Sequence, residues 1–216
     1  MKDINATIII NLKGKSEDEL YKAVEYSRRK NIQKAIRSGI TYEQKHNTEI
    51  LKECYKINSK VLIEGGTHPK KYEDWIRFIE PDKNPFFVVK FKEKIIGCFA
   101  IKEITRRFYG ENSDEKGIRP TIFANEKEYN DFRPNDLMYW ATILYGLKNN
   151  YNFVDLGGWQ INPRGHLVGV NSFKEKWGGE IFYYYSDYPV LRALGRKLIR
   201  KSGFLWKLNA KIKKKS

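Results

Sequence analysis

The stretch NFVDLGGWQINPRGHLVGVNSFKEKWGGE, residues 152–180, limits the fold more than any other part of the chain. A short apolar run carrying one acid ends in Gly157-Gly158, a polar loop and a basic-aromatic pattern follow, and Gly178-Gly179 closes the segment before a second apolar run. Paired glycines at a strand end let the backbone adopt positive φ and let another group come close. The segment therefore reads as strand, close-approach turn, short helix over GVNSFKEKWGG, turn and closing strand EIFYYY, with His166 in the loop.

The rest of the chain supplies elements that fit around it. ATIIINL is a β-branched strand; Ser16-Glu17-Asp18-Glu19 is a capping box that starts a helix running to about Ser38, with Gly39 at the left-handed C-cap position. ITYEQK is a short strand, Asn47 or Thr48 caps a helix that ends at Gly65-Gly66, and KKYEDWIRFI is a helix stopped by Pro81. PFFVVKF and KIIGCFAIKEIT form a hairpin about Lys92-Glu93-Lys94, and GIRPTIFANE adds a strand with Pro120 near its start or at an edge. NDLMYWATILYGLKNN, capped by Asn135 or Asp136, is apolar nearly all round and should lie buried on the sheet. The expected architecture is one α+β domain over residues 1–188, a mixed, mostly antiparallel sheet flanked by helices.

Charge sets the remaining part apart. Ten Lys and Arg residues follow Asp187 and no acid does, so most of the formal +15 sits in residues 189–216. Leu191, Leu194 and Leu198, then Leu205, Leu208 and Ile212, make this a basic amphipathic segment. Such a segment can lie on an anionic membrane surface, grip nucleic-acid phosphates, or pack on the domain with its cations in water. No apolar stretch approaches the roughly 20 residues of a membrane span, and MKDINATIII lacks a signal peptide's basic start and apolar core. A cytoplasmic chain is expected, peripheral on the inner membrane face if the basic segment binds lipid. Cys54 and Cys98 lie in apolar surroundings without ligand spacing, so buried free thiols are expected and no metal site.

These residues carry a resemblance. The element order resembles the GCN5-related N-acetyltransferase-like fold, and Asp155-Leu-Gly-Gly158, Gly169 and Phe173-Lys-x-Lys-Trp-Gly-Gly179 resemble the second such domain of the FemABX family. The ATIIINL opening and SRRKNIQKAIRSGI resemble the start of that domain. FemABX proteins are aminoacyl-tRNA-dependent transferases that build peptidoglycan cross-bridges. The resemblance thus implies an aminoacyl-tRNA donor with no tightly bound cofactor, a tRNA acceptor end as partner, and a lipid-linked or nucleotide-linked cell-wall precursor as acceptor. Members with cross-bridge roles carry two such domains, and this chain resembles the second alone, so a homodimer, another acceptor, a partner that supplies the first domain, or a fragment of a longer protein are the options. The alternative is an acyl-CoA-dependent N-acyltransferase of surface-polysaccharide biosynthesis. Its Gly-rich pyrophosphate turn would fall in NEKEYNDFRPNDLMYW, which has no glycine.

The candidate site follows. Gly157 and Gly158 can bring backbone close to a ligand, and Phe173 and Lys174 offer an aromatic face and a cation for a phosphate or terminal nucleotide. The resemblance places the tRNA acceptor end at this Phe-Lys pair. Lys174, Phe173 and Asp155 are the catalytic candidates; Gly157, Gly158, Arg28, Arg29, Tyr139 and His166 are the substrate-binding ones. Arg28 and Arg29, with Lys30, Lys34 and Arg37, either hold phosphates or form a solvated helix face. The expected chemistry is attack of an amine on an activated acyl ester, aided by positioning and electrostatics. Asp155, His166, a substrate phosphate or the tRNA hydroxyl could take the amine's proton.

Overall fold

The structure is a computed structural model and describes residues 2–187. The basic segment 189–216, and the domain boundary placed at 188, lie outside the described residues. Seven strands form one sheet: β1 (Lys2–Asn11), β2 (Ile40–Gln44), β3 (Phe86–Phe91), β4 (Lys94–Thr105), β5 (Lys116–Asn125), β6 (Phe153–Trp159) and β7 (Glu180–Asp187). Their order is β2-β3-β4-β5-β6-β1-β7. All neighbours are antiparallel except β5 and β6, whose parallel register holds only at Gly117–Phe153 and Ile118–Val154. Beyond those residues no ladder joins the two strands, which leaves a gap in the main-chain hydrogen bonding towards their C-terminal ends.

Helices cover both faces. On one face α1 (Glu17–Ala23), α2 (Tyr26–Arg37), α5 (Pro134–Lys148) and α6 (His166–Glu175) accompany the main core of Ile8, Ile10, Ile32, Phe99, Met138, Val154 and Trp177. On the other, α3 (Thr48–Glu64) and α4 (Tyr72–Ile79) pack Cys54, Trp75 and Ile79 against Phe86, Val88 and Cys98. Beside them a 3₁₀ turn, Arg106–Tyr109, packs Tyr109 against Ile9 and Phe153 in a smaller cluster. Strand alternation assigns each face: Val154 and Leu156 of β6 join the first core, while Phe153 and Asp155 point the other way. Both cysteines are buried free thiols.

Three sequence expectations need correction. The helix expected from Ser16 to Ser38 is two helices. Val24 is extended (φ −66°, ψ 134°) and buried, and the amide of Glu25 donates to the carbonyl of Lys176. The break lets the chain dock on the Gly178 turn, where φ is +76° and an added Cβ would lie 2.8 Å from Ala23. Helix α5 starts at Pro134, with Arg133 in the left-handed region (φ 64°) as its cap; Asp136 lies inside the first turn and serves an ion pair instead. His166 is the first residue of α6, which begins earlier than the GVNSF pattern suggested. The capping box at Ser16, the Asn47 cap, Gly39 at φ +83° and the Lys92 hairpin (φ 55°) are as expected.

Candidate active site at the gap between β5 and β6

The gap is organised by one carboxylate. Asp155 on β6 is fully buried, which would be costly for a charge without partners. It has four. The Thr7 hydroxyl from β1 and the amide of Gly157 (2.7 Å) donate to Oδ1, and the Tyr109 hydroxyl donates to Oδ2 at 2.8 Å. The Nε of Arg119 on β5 lies 3.4 Å from Oδ2. The tyrosine hydroxyl is driven far above its ordinary pKa by burial and by Asp155. It therefore stays a neutral donor. Asp155 is thus shielded from a substrate, so its placement fits positioning rather than proton abstraction.

Lys174 enters the same gap from α6. Its ammonium donates to the carbonyl of Gly158 at 2.9 Å. Burial pushes its pKa down to about 8, Asp155 opposes that shift, and Arg119 adds to it. Gly157 has φ +81°, and an added Cβ would lie in ordinary contact with Lys174 Nζ at 3.4 Å and Arg119 at 3.8 Å. Here glycine is favoured by conformation, and the two cations flank the turn it makes. The amide of Gly157 is spent on Asp155, so it is not a free oxyanion donor.

Other candidates assemble on the α2–α5–α6 side. Phe173 meets Tyr139 (5.0 Å, edge-on) and Trp177 (5.9 Å), and the guanidinium of Arg28 sits 5.2 Å over its ring. Arg28 is itself paired with Asp136 at 2.9 Å, and Asn31 donates to the same carboxylate. Burial nevertheless holds the Asp136 carboxyl above its usual range. Arg28 is therefore committed to protein partners, not displayed as a phosphate rung. Arg29 lies over Tyr21 and Tyr26 instead, with its Nε buried and unpartnered. Tyr139 is sandwiched between Phe123 (4.4 Å) and Trp177 (5.2 Å), a packing position. His166 is exposed at the start of α6, about 12 Å along the helix axis from Lys174.

The structure thus brings Lys174, Asp155, Gly157 and Gly158 together and stacks Phe173, Tyr139 and Arg28 beside them. It leaves Arg29 and His166 apart. Arg119, Thr7 and Tyr109 were not among the sequence candidates. Arg119 also lines a groove of about 860 Å³ bounded by Phe78, Phe108, Lys102 and Thr121 on the α4 face. A second groove, about 770 Å³ and lined by Tyr21, Ile36 and Trp140, includes no candidate residue. Among the described residues no group of His, Cys, Asp and Glu could hold a metal ion, and no helix is long and apolar enough to cross a membrane.

The α+β fold, with its mixed seven-stranded sheet between two layers of helices, is shared by solved structures similar to this chain. FemX matches with a TM-score of 0.68 at 15% identity over 83% of this chain and 61% of its own. L-PGS from Bacillus licheniformis gives 0.63 at 18% identity over 92% of this chain and 67% of its own. The GCN5-related glucosamine N-acetyltransferase region of a fungal multi-domain GH3 β-N-acetylglucosaminidase gives 0.55 at 8% identity, over 85% of this chain and 20% of that one. The chain spans about three fifths of the length of FemX. At these identities the likeness is one of fold: the protein has the fold of FemX and its GCN5-related kin. No family model matches the sequence, and no curated protein matches it.

Proposed function

We propose that the β5–β6 gap is the reaction site of an acyltransferase that forms an amide from an activated acyl ester and an amine. The observation that carries this is Lys174, a half-buried cation held at the end of the parting strands between the Gly158 carbonyl and the Arg119–Asp155 pair. With a pKa of about 8 it remains mostly protonated at neutral pH, and because it is only partly hydrated its charge is screened less than a surface lysine's and acts more strongly on an oxyanion or phosphate beside it. In the reaction the amine nitrogen attacks the ester carbonyl and Lys174 stabilises the oxygen that becomes negative. The C–N bond forms as the ester C–O bond breaks, and the departing oxygen takes the proton the amine loses. Asp155 orients Arg119 and the Gly157 turn throughout.

Aminoacyl-tRNA is the donor we favour and a cell-envelope precursor the acceptor, a reading supported by the FemABX-like Phe173-Lys174 segment and by the likeness to FemX and L-PGS. Acyl-CoA is disfavoured by the start of α5. The buried Asp136 carboxylate lies in its first turn, and a pyrophosphate there would meet like charge. Incubation with aminoacyl-tRNA or acyl-CoA and an amine-bearing envelope precursor, with mass spectrometry of the product, tests the reading. Amide formation from aminoacyl-tRNA that Lys174→Ala abolishes in a folded variant is the expected result. Transfer from acyl-CoA alone sinks the donor assignment, and undiminished transfer by Lys174→Ala sinks the site.

A further inference from the structure

We infer that the outer flank of the sheet, where β7 lies against β1, is a contact surface for an anionic membrane. Alternation along β7 sends Phe182 and Tyr184 into the small cluster with Tyr109 and turns Ile181, Tyr183 and Tyr185 to the opposite face. Cross-strand pairing sets Ile4 opposite Tyr185 on that face. Tyr183 is 56% exposed, Tyr185 62% and Ile4 45%, although the rest of this face lies under helices. Trp159 extends the patch to β6, with its ring 6.5 Å from Tyr183.

The composition of the patch argues for its occupant. On the neighbouring strands β1 and β6 the positions that lie under helices are aliphatic, Ile8, Ile10, Val154 and Leu156, whereas the flank bears tyrosines whose rings are apolar and whose hydroxyls need water. Tyr and Trp are the side chains that concentrate at the boundary between lipid headgroups and acyl chains. The charge complement follows in the chain: β7 leads directly into a segment with ten Lys and Arg residues and no acid. Such a segment is drawn to anionic headgroups. Pairing two copies through this flank would instead bring together chains that each carry a formal +15. Trp159 immediately follows Gly158, so a bilayer seated on the flank would lie next to the β5–β6 gap.

The inference does not rest on acyl transfer, because binding is read without any donor. The full chain should sediment with vesicles of phosphatidylcholine and phosphatidylglycerol, not with phosphatidylcholine alone, and release as salt is raised. Tyr183→Ser with Tyr185→Ser, at exposed positions, should weaken that binding about tenfold while leaving the melting temperature in place. Deletion of residues 190–216 should weaken it further. Unchanged vesicle affinity in the double serine variant overturns the assignment. So does hydrogen-exchange protection of residues 181–185 in the lipid-free chain that disappears on the deletion, which would show the segment covering the flank. A concentration-dependent dimer that hides the flank and ignores vesicles overturns it as well.

Discussion

Arg119 on β5 and Asp155 on β6 meet 3.4 Å apart across the only parallel seam of the described sheet. The pair spans strands that share two register positions and then separate. It joins the halves of the sheet where main-chain bonds do not, and it stands beside the amine of Lys174.

Removing the carboxylate should be costly. Asp155→Ala leaves the Tyr109 and Thr7 hydroxyls and the Gly157 amide without their acceptor and the guanidinium of Arg119 without its counter-charge. A loss of about 3 kcal/mol is expected, read as a lower urea midpoint. Arg119 is partly exposed, so Arg119→Met should cost less, about 1 kcal/mol.

Arg119→Met should also alter the titration of Lys174. The guanidinium helps depress that amine and Asp155 opposes the depression, so without Arg119 the lysine's pKa moves up from about 8. If the protonated form is the active one, kcat/KM of the parent falls as pH rises through about 8, and the fall shifts to higher pH in the variant. A profile that instead rises through pH 8 would make Lys174 a base.

The same depressed pKa has a consequence for stability. Between about 8 and 10.5 the unfolded chain binds a proton at this lysine that the folded chain has released, so this group makes stability rise with pH across that window. Below it, the fold bears a charge that it partly desolvates. Lys174→Met should therefore flatten this rise and hold or raise the melting temperature at pH 7, by a few degrees at most, while abolishing transfer. Calorimetry at pH 7 and pH 10 separates these outcomes.

The cradle beneath Phe173 should behave as a coupled unit. Arg28→Ala uncovers the ring and strands the buried Asp136 carboxylate, at a cost of about 2 kcal/mol. Asp136→Asn in the same chain removes the orphaned charge, so the double variant should be less destabilised than the sum of the single ones. A thermodynamic cycle from denaturant unfolding measures the difference.

Gly178 offers a test of packing alone. Its φ of +76° and the 2.8 Å approach to Ala23 leave no room for a side chain. Gly178→Ala should cost about 2 kcal/mol or more, with the break between α1 and α2 showing the greatest rise in hydrogen exchange.

Much of this was legible in the sequence. Strand alternation, caps and glycine punctuation point to most of the element order, and the Gly-Gly and Phe-Lys segments hold residues that the fold brings together, Gly157, Gly158 and Lys174, because local preference and tertiary need agree there. What escaped were contacts made at long range. The break at Val24 is imposed by Lys176 and Gly178, more than 150 positions away, against a helical pattern that runs straight through. Arg28 reads from the sequence as either a phosphate-binding cation or part of a solvated helix face, and only the fold brings Asp136 to it. One signal for Arg119 was nevertheless present: it and Asp155 are lone, opposite charges inside apolar strand runs, and such charges must reach water or each other.

The brevity of the β5–β6 ladder gives the sheet a hinge line. Past Ile118 and Val154 the strands are laced only by side chains, so their separation can change without a backbone bond breaking. The width of the opening is then set by three charged groups, and a guest with charge of its own could widen the slit by competing for them.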